Sequence, residues 1–261
     1  MRRVATSARN KAVLALVLAA AIAAPGCAPK KPRTSAEILL TVRMAQVLLR
    51  ENRPVDAEKA FRDVLKDEPK NPEINDGLGV SLLMQARYKE ALPFLQKAVQ
   101  LAPQNGSYRN NLGVAQMELG DFVGAESAFR VAEESPNADD RLSASINWGR
   151  LRTRQGRDKE AEEIFSQALA RDPQSFAAML GRAGAREAQG ELEGAAEDYL
   201  AAVKLQPSSP EANLRLGLCL VTLKKTELGR RYLQRAVELD PSGDTGARAR
   251  MLLENGDKAP S

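Results

Sequence analysis

The stretch PEINDGLGVSLLMQARYKEALPFLQKAVQLAPQN (72–105) decides the fold. It reads as two helices in succession, with small residues at Gly79, Ala91 and Ala98, a large one at Leu95 and a closing Pro103. The same grammar recurs on both sides. Prolines follow helical stretches at Pro69, Pro103, Pro136, Pro173, Pro207 and Pro241, spaced by 34, 33, 37, 34 and 34 residues. The eighth residue of each unit is Ala45, Gly79, Gly113, Gly149, Ala183 or Gly217, and the twentieth is Ala57, Ala91, Ala125, Ala161, Ala195 or Gly229. The large residue four later is Phe61, Leu95, Phe129, Phe165, Tyr199 or Leu233; the twenty-seventh is Val64, Ala98, Ala132, Ala168, Ala202 or Ala236. Small residues let two antiparallel helices approach, and the large one fills the space beside them. The closing proline has no N–H and cannot extend the second helix.

A period near 34 built from two helices resembles the tetratricopeptide repeat (TPR). The resemblance implies an all-α fold: a right-handed superhelix of six helix-turn-helix repeats, about 38–71, 72–105, 106–141, 142–175, 176–209 and 210–243, within residues 36–256. Thr34 and Glu37 have capping-box spacing before the first helix, and Pro54 suits a first helical turn. ARARMLLEN (247–255) reads as a capping helix stopped by Gly256, with 257–261 as a tail. The spacing of 37 marks a widened turn, ESPNADDRL (134–142), expected as a solvated loop.

The first residues belong to another physical regime. Arg2, Arg3, Arg9 and Lys11 precede an unbroken apolar run, AVLALVLAAAIAA (12–24), too short for a hydrocarbon core that needs about 20 residues. Residues 1–26 read as a secretory signal peptide. Ala24-Pro25-Gly26-Cys27 resembles the lipobox of bacterial lipoproteins, which implies cleavage before Cys27 and acylation (palmitate among the chains) of that residue. Pro25 departs from the usual pattern. The alternative is ordinary cleavage after Ala21 or Ala23, leaving Cys27 a free thiol. Ala28 after the cysteine favours, by the same resemblance, sorting to the outer membrane, and 27–35 then form a short basic tether. The chain's formal charge of +4 lies entirely in residues 1–11. Without them the chain is formally neutral, and the pI near 9.1 describes an export signal.

Composition excludes much chemistry. There is no His, which removes triads and imidazole ligands. Two Cys make neither a zinc site nor a disulfide framework. Glycines fall at repeat positions and form no phosphate loop. Acids such as Glu160, Glu162 and Glu163 read as solvated helix faces, Cys219 as a buried structural thiol, and Trp148 as a core side chain. Neither a catalytic residue, nor a metal site, cofactor, nucleic acid or small-molecule substrate is expected.

What remains is surface. In a TPR superhelix the first helix of each repeat lines the concave side. Its inward positions in repeats one to three are Val42, Gln46, Leu49, Asp76, Val80, Leu83, Asn110, Val114 and Met117, an apolar strip with polar interruptions. Ile146, Leu180, Leu214, Leu218 and Val221 continue it, broken by Arg150 and Glu187. Uncovered apolar groups suggest a groove for a peptide or helix; coverage by neighbouring elements is the other reading. Arg182 and Arg186 stand where large apolar residues are usual, either snorkelling across a thinner core or forming an anion site.

The lipid-type Cys27, six repeats, a widened turn between the third and fourth, and the run from Asn147-Trp148-Gly149 through Ala161 and Phe165 to Ala168 resemble the PilF/PilW/Tgl group. These are outer-membrane TPR lipoproteins of type IV pilus systems, the pilotins. The resemblance covers residues 27 to about 254 and implies a periplasm-facing adaptor. Such an adaptor is held to the membrane by its lipid and assists secretin subunits, through its groove, to reach the outer membrane and assemble. Pro25, Arg182 and Arg186 depart from that pattern. Another TPR lipoprotein scaffold, for tight-adherence pili, periplasmic proteases or cell-wall enzymes, is the alternative.

Overall fold

Asn and Ser side chains set the start of the second to sixth repeats. The Oδ1 of Asn71 accepts from the amides of Glu73 and Ile74 at 3.0 and 3.3 Å, and Asn105 accepts from Tyr108 at 3.0 Å. Asn137, Ser175 and Ser209 do the same for Asp139, Ala178 and Ala212. A cap of this kind is worth about 1 kcal/mol. A second device closes the turn just before it. Asn75, Arg109 and Asn213, each six residues after a closing proline, donate to the carbonyls of Pro69, Pro103 and Pro207. Cap and stitch together satisfy the polar backbone of a bend that no helix can serve.

The computed structural model describes residues 33–256, all-helical with thirteen helices and no strand among them. The helices are α1 (Ser35–Arg50), α2 (Pro54–Leu65), α3 (Pro72–Leu83), α4 (Tyr88–Leu101), α5 (Gly106–Glu118), α6 (Phe122–Glu133) and α7 (Ala138–Arg154). They continue as α8 (Asp158–Arg171), α9 (Phe176–Gln189), α10 (Leu192–Leu205), α11 (Pro210–Thr222), α12 (Thr226–Leu239) and α13 (Asp244–Gly256). The signal segment, Cys27 and the tail 257–261 lie outside the described residues, as does the tether up to residue 32. No described helix is long and apolar enough to cross a membrane.

Two compact units are distinguished, 1–40 and 41–261. In the first, the capping box forms: the Glu37 amide donates to Thr34 Oγ1 at 3.3 Å, and the Thr34 amide donates to Glu37 Oε2 at 2.7 Å. The second unit is a TPR superhelix in which odd-numbered helices are the first helix of each repeat and even-numbered ones the second. Each helix from α2 on meets the next, and α3, α5, α7 and α11 also meet the next odd-numbered helix.

The core follows the repeat positions. Ala57, Ala91, Ala125, Ala161 and Ala195 are fully buried, as are Phe61, Leu95 and Phe129. A side chain at Gly149 would bring a Cβ within 2.7 Å of the Phe165 ring, and one at Gly181 within 2.4 Å. The ring therefore lies against two glycines from successive repeats. Leu214, Leu233 and Ala236 form the last cluster, and α13 covers it with Ala249, Leu252 and Leu253.

Three features depart from the sequence reading. ESPNADDRL is not a solvated loop: α7 starts at Ala138 and runs 17 residues, so the extra residues form an additional helical turn. Asn137 caps it, Asp139 and Asp140 sit in the first turn where the helix dipole favours acids, and Arg141 ties down the carbonyls of Ser135 and Pro136. The capping helix starts at Asp244, three residues earlier than expected, because Asp240 accepts from the amides of Gly243, Thr245 and Gly246. Arg182 and Arg186 do not snorkel. Both fold onto buried Asp198: Arg182 through two bonds of 2.8 and 2.7 Å, Arg186 through one of 3.0 Å with a second to Glu162 at 2.7 Å. The anion they bind is the protein's own.

Candidate functional site

The inner side of the superhelix is lined by odd-numbered helices. A hollow of about 680 Å³ spans α5, α7, α9 and α11. Its apolar wall comprises Val114, Met117, Phe176 and Leu180, with Phe165 and Tyr199 behind. The sequence explains its location. The ninth residue of each repeat points inward and reads Gln46, Val80, Val114, Arg150, Gly184 and Leu218. Gly184 leaves an opening where its neighbours place a side chain, and Gly181 lowers the floor one turn earlier.

Six charged side chains rim the hollow, three of each sign. Glu118 pairs with Arg154 at 2.7 Å, and Glu211 with Arg215 at 2.7 Å. Glu187 accepts from the Tyr199 hydroxyl at 2.7 Å; burial first, and then this bond, raises the phenol's pKa far above its ordinary value. Arg150 is exposed and, among the described residues, has no carboxylate partner; it donates a 3.4 Å hydrogen bond to Asn147. The hollow thus offers apolar walls, an amide-flanked guanidinium, two ion-paired acids and a third, Glu187, held by a phenol. It suits a polypeptide segment with apolar side chains and one acidic group. No group of three or more Cys, Asp or Glu among the described residues could hold a metal.

The nine inward residues named from sequence are distributed unevenly. Val114 and Met117 line the hollow. Gln46, Leu49, Asp76, Val80 and Leu83 are half-buried on the first two repeats, and Val42, Asn110 and Met117 are buried. Their polar members are engaged across repeat boundaries. Gln46 donates to Glu73 at 2.7 Å, Asn111 donates to both oxygens of Asp76 at 3.0 and 3.2 Å, and Asn147 donates to Asn110 at 2.9 Å. These bonds form a ladder along the inner surface. Asp76 is unusual within it because both contacts come from one neutral amide: burial, aided by the Glu73 charge, raises its pKa to about 6.

Sequence reasoning missed Gly184, Arg154 and Arg215 as parts of the site. Gly184 was visible at the ninth position as the one missing side chain; the two arginines are legible only with their partners in place. Glu162, read as a solvated acid, is instead an inter-repeat contact with Arg186 and Gln189. Cys219 is buried as expected, donates to the Leu192 carbonyl at 3.3 Å, and has its thiol pushed up to about 11 by burial. Trp148 packs with Met117, Phe129 and Leu151.

Comparison with known proteins fits this geometry. One tetratricopeptide-repeat family model matches residues 42–106, 146–210 and 193–244, and a second matches 82–146. A TPR repeat-containing protein of Pseudomonas aeruginosa, PA4299, is 34% identical over 96 residues, covering 37% of this chain and 39% of its own. The chain spans well under half the length of the curated relatives it matches. Among solved structures, PilW, described as a widely conserved type IV pilus biogenesis factor, aligns with a TM-score of 0.72 at 18% identity, over 82% of this chain and 99% of that one. The pilF protein of Pseudomonas aeruginosa aligns with a TM-score of 0.68 at 16% identity, over 82% and 96%. At such identities the likeness is one of fold.

Proposed function

The chain belongs to the tetratricopeptide-repeat family, and from that premise we propose that it is a membrane-anchored adaptor that binds a protein segment in the hollow of repeats three to six. The observation that carries this reading is the hollow itself, apolar and open, with Arg150 left uncompensated at its rim. An unpaired cation beside apolar walls recognises an acidic residue next to apolar ones, and fixes the register of the bound chain.

The finer reading is a pilotin. Supporting it are the lipobox-like Ala24-Pro25-Gly26-Cys27 and a repeat architecture that matches PilW and pilF over nearly their whole lengths. Acyl chains on Cys27 would hold the protein on the periplasmic face of the outer membrane, and the hollow would hold a secretin subunit. The mechanism is tethering. Anchor and hollow together raise the local concentration of partner at the bilayer, with no reaction catalysed.

The test is secretin assembly in cells. Arg150→Glu with Leu180→Glu should leave the protein folded and anchored while secretin stays monomeric. Cys27→Ala should release it from membranes with the same loss of multimers. Normal secretin multimers in a strain lacking the whole protein would overturn the pilotin reading.

A further inference from the structure

The two ends of the stack are finished differently. At the C-terminal end, α13 covers Leu214 and Leu233 with Leu252 and Leu253. At the other end, Met44 and Val47 on α1 are 58% and 45% exposed, and Val55 at the start of α2 is 66% exposed. Arg43, Met44, Val47 and Leu48 together line a shallow hollow of about 300 Å³. A repeat that lacks a neighbour leaves such a face uncovered unless something else covers it.

Charge is equally uneven. Residues 28–50 hold five basic side chains, Lys30, Lys31, Arg33, Arg43 and Arg50, and one acid, Glu37. Residues 51–261 hold 29 basic and 33 acidic ones. The basic surplus of the chain beyond the signal segment is therefore confined to the tether and α1. Arg43 and Arg50 are exposed and enter no ion pair among the described residues.

We propose that the Arg43–Met44–Val47–Arg50 face of α1 docks on an anionic phospholipid bilayer. The inference rests on the acylation of Cys27 proposed above. Ser35 lies eight residues after Cys27, and at ~3.5 Å per step the chain between them reaches at most about 28 Å, which keeps α1 close to the anchored cysteine. Apolar side chains flanked by arginines on one short helical surface are the composition of an interfacial segment. Anionic headgroups attract the basic cluster, and the excess acid of the remaining chain is repelled. A second copy of the chain or a peptide partner would use the apolar face but gives no reason for the basic surplus to stop at Arg50. Acyl chains supply residence at the membrane, and the α1 contact supplies orientation, with repeats three to six leading away from the lipid.

The test places an environment-sensitive fluorophore at Met44→Cys in the full chain, reconstituted in vesicles of phosphatidylethanolamine and phosphatidylglycerol. Cys219 is buried and does not compete for label. Lipids carrying a nitroxide near the headgroup should quench this label at least about threefold more than one at Lys159→Cys on α8. Arg43→Glu with Arg50→Glu should bring the two to the same level. Equal quenching at 44 and 159 overturns the proposal. So does a label at 44 shielded from aqueous iodide in a concentration-dependent way without lipid quenching, which would make the face a contact between copies. Mass spectrometry of the mature N-terminal peptide reports acylation separately. For a chain found unacylated, the same quenching is read with Cys27→Ser added, so that position 44 alone is labelled, after vesicles are supplied.

Discussion

Asp76 ionises against its surroundings. Its carboxyl titrates near 3.8 when unperturbed and at about 6 in the fold, raised first by burial and then by the Glu73 charge, with the Asn111 amide opposing. A carboxyl whose folded value lies above its unfolded value keeps its proton longer in the fold. Its stabilising effect is therefore complete below about pH 4 and is lost as the pH rises through 6. Asp76→Asn keeps an acceptor for Asn111 and removes the charge. It should raise stability at pH 7.5 by roughly 1–3 kcal/mol and by almost nothing near pH 4, measured by urea denaturation at both. A gain equal at the two pH values would mean that packing, and not ionisation, is responsible. Gly149 makes a second point at this scale. An alanine there gains up to about 1 kcal/mol in helix propensity but forces its Cβ into the Phe165 ring. The overpacking penalty of about 1–3 kcal/mol should win. Thermal melts should show Gly149→Ala destabilised and Gly149→Ala with Phe165→Leu partly restored.

Pairs of helices are joined by a clasp that a single residue does not reveal. Glu58, Glu126 and Glu162 occupy the same register in α2, α6 and α8. Glu58 accepts from Gln85 at 2.8 Å and from Arg87, Glu126 from Arg152, and Glu162 from Gln189 at 2.9 Å and Arg186 at 2.7 Å. At the other two boundaries the corresponding registers are apolar: Leu92 with Leu119, and Ala196 with Leu223. Breaking one side of a half-buried clasp strands its partners, whereas replacing both sides with apolar groups need not. Glu162→Leu alone should cost about 1–3 kcal/mol, and Glu162→Leu with Gln189→Leu, which leaves Arg186 its bond to Asp198, substantially less, in a double-mutant cycle read by denaturant midpoints. The same distinction explains what could be read from the chain beforehand. The alanine, glycine and proline positions are set by contacts inside one repeat, so they recur at the period and are legible. Asp76–Asn111, Asn110–Asn147 and Glu118–Arg154 join residues 35 to 37 apart, and in one repeat each looks like an unsatisfied polar group waiting for a partner. The extra turn of α7 was hidden differently: Pro136 suggested a loop, while Asn137, Asp139 and Asp140 form a cap and acidic first turn directly behind it.

For the whole superhelix, stability is close to a sum over repeats and the interfaces between neighbours, so the way each end is closed decides where unfolding starts. The sixth repeat depends on α13. Leu214 and Leu233 are 1% and 2% exposed only because Ala249, Leu252 and Leu253 lie over them. A chain ending at Ser242 uncovers that cluster. Returning two leucines and an alanine to water costs roughly 3–5 kcal/mol, but the loss is local. Hydrogen exchange followed by mass spectrometry should speed up most in α11 and α12, less in α9 and α10, and hardly at all in α3 to α6. The hollow should weaken with it, because Glu211 and Arg215 on α11 form part of its rim. Partner capture would then fall although every residue of α5 and α7 is intact. Uniform acceleration across all six repeats would instead show a superhelix that unfolds as one unit. The clasps of Glu58, Glu126 and Glu162 would then couple distant repeats more strongly than nearest-neighbour contact alone.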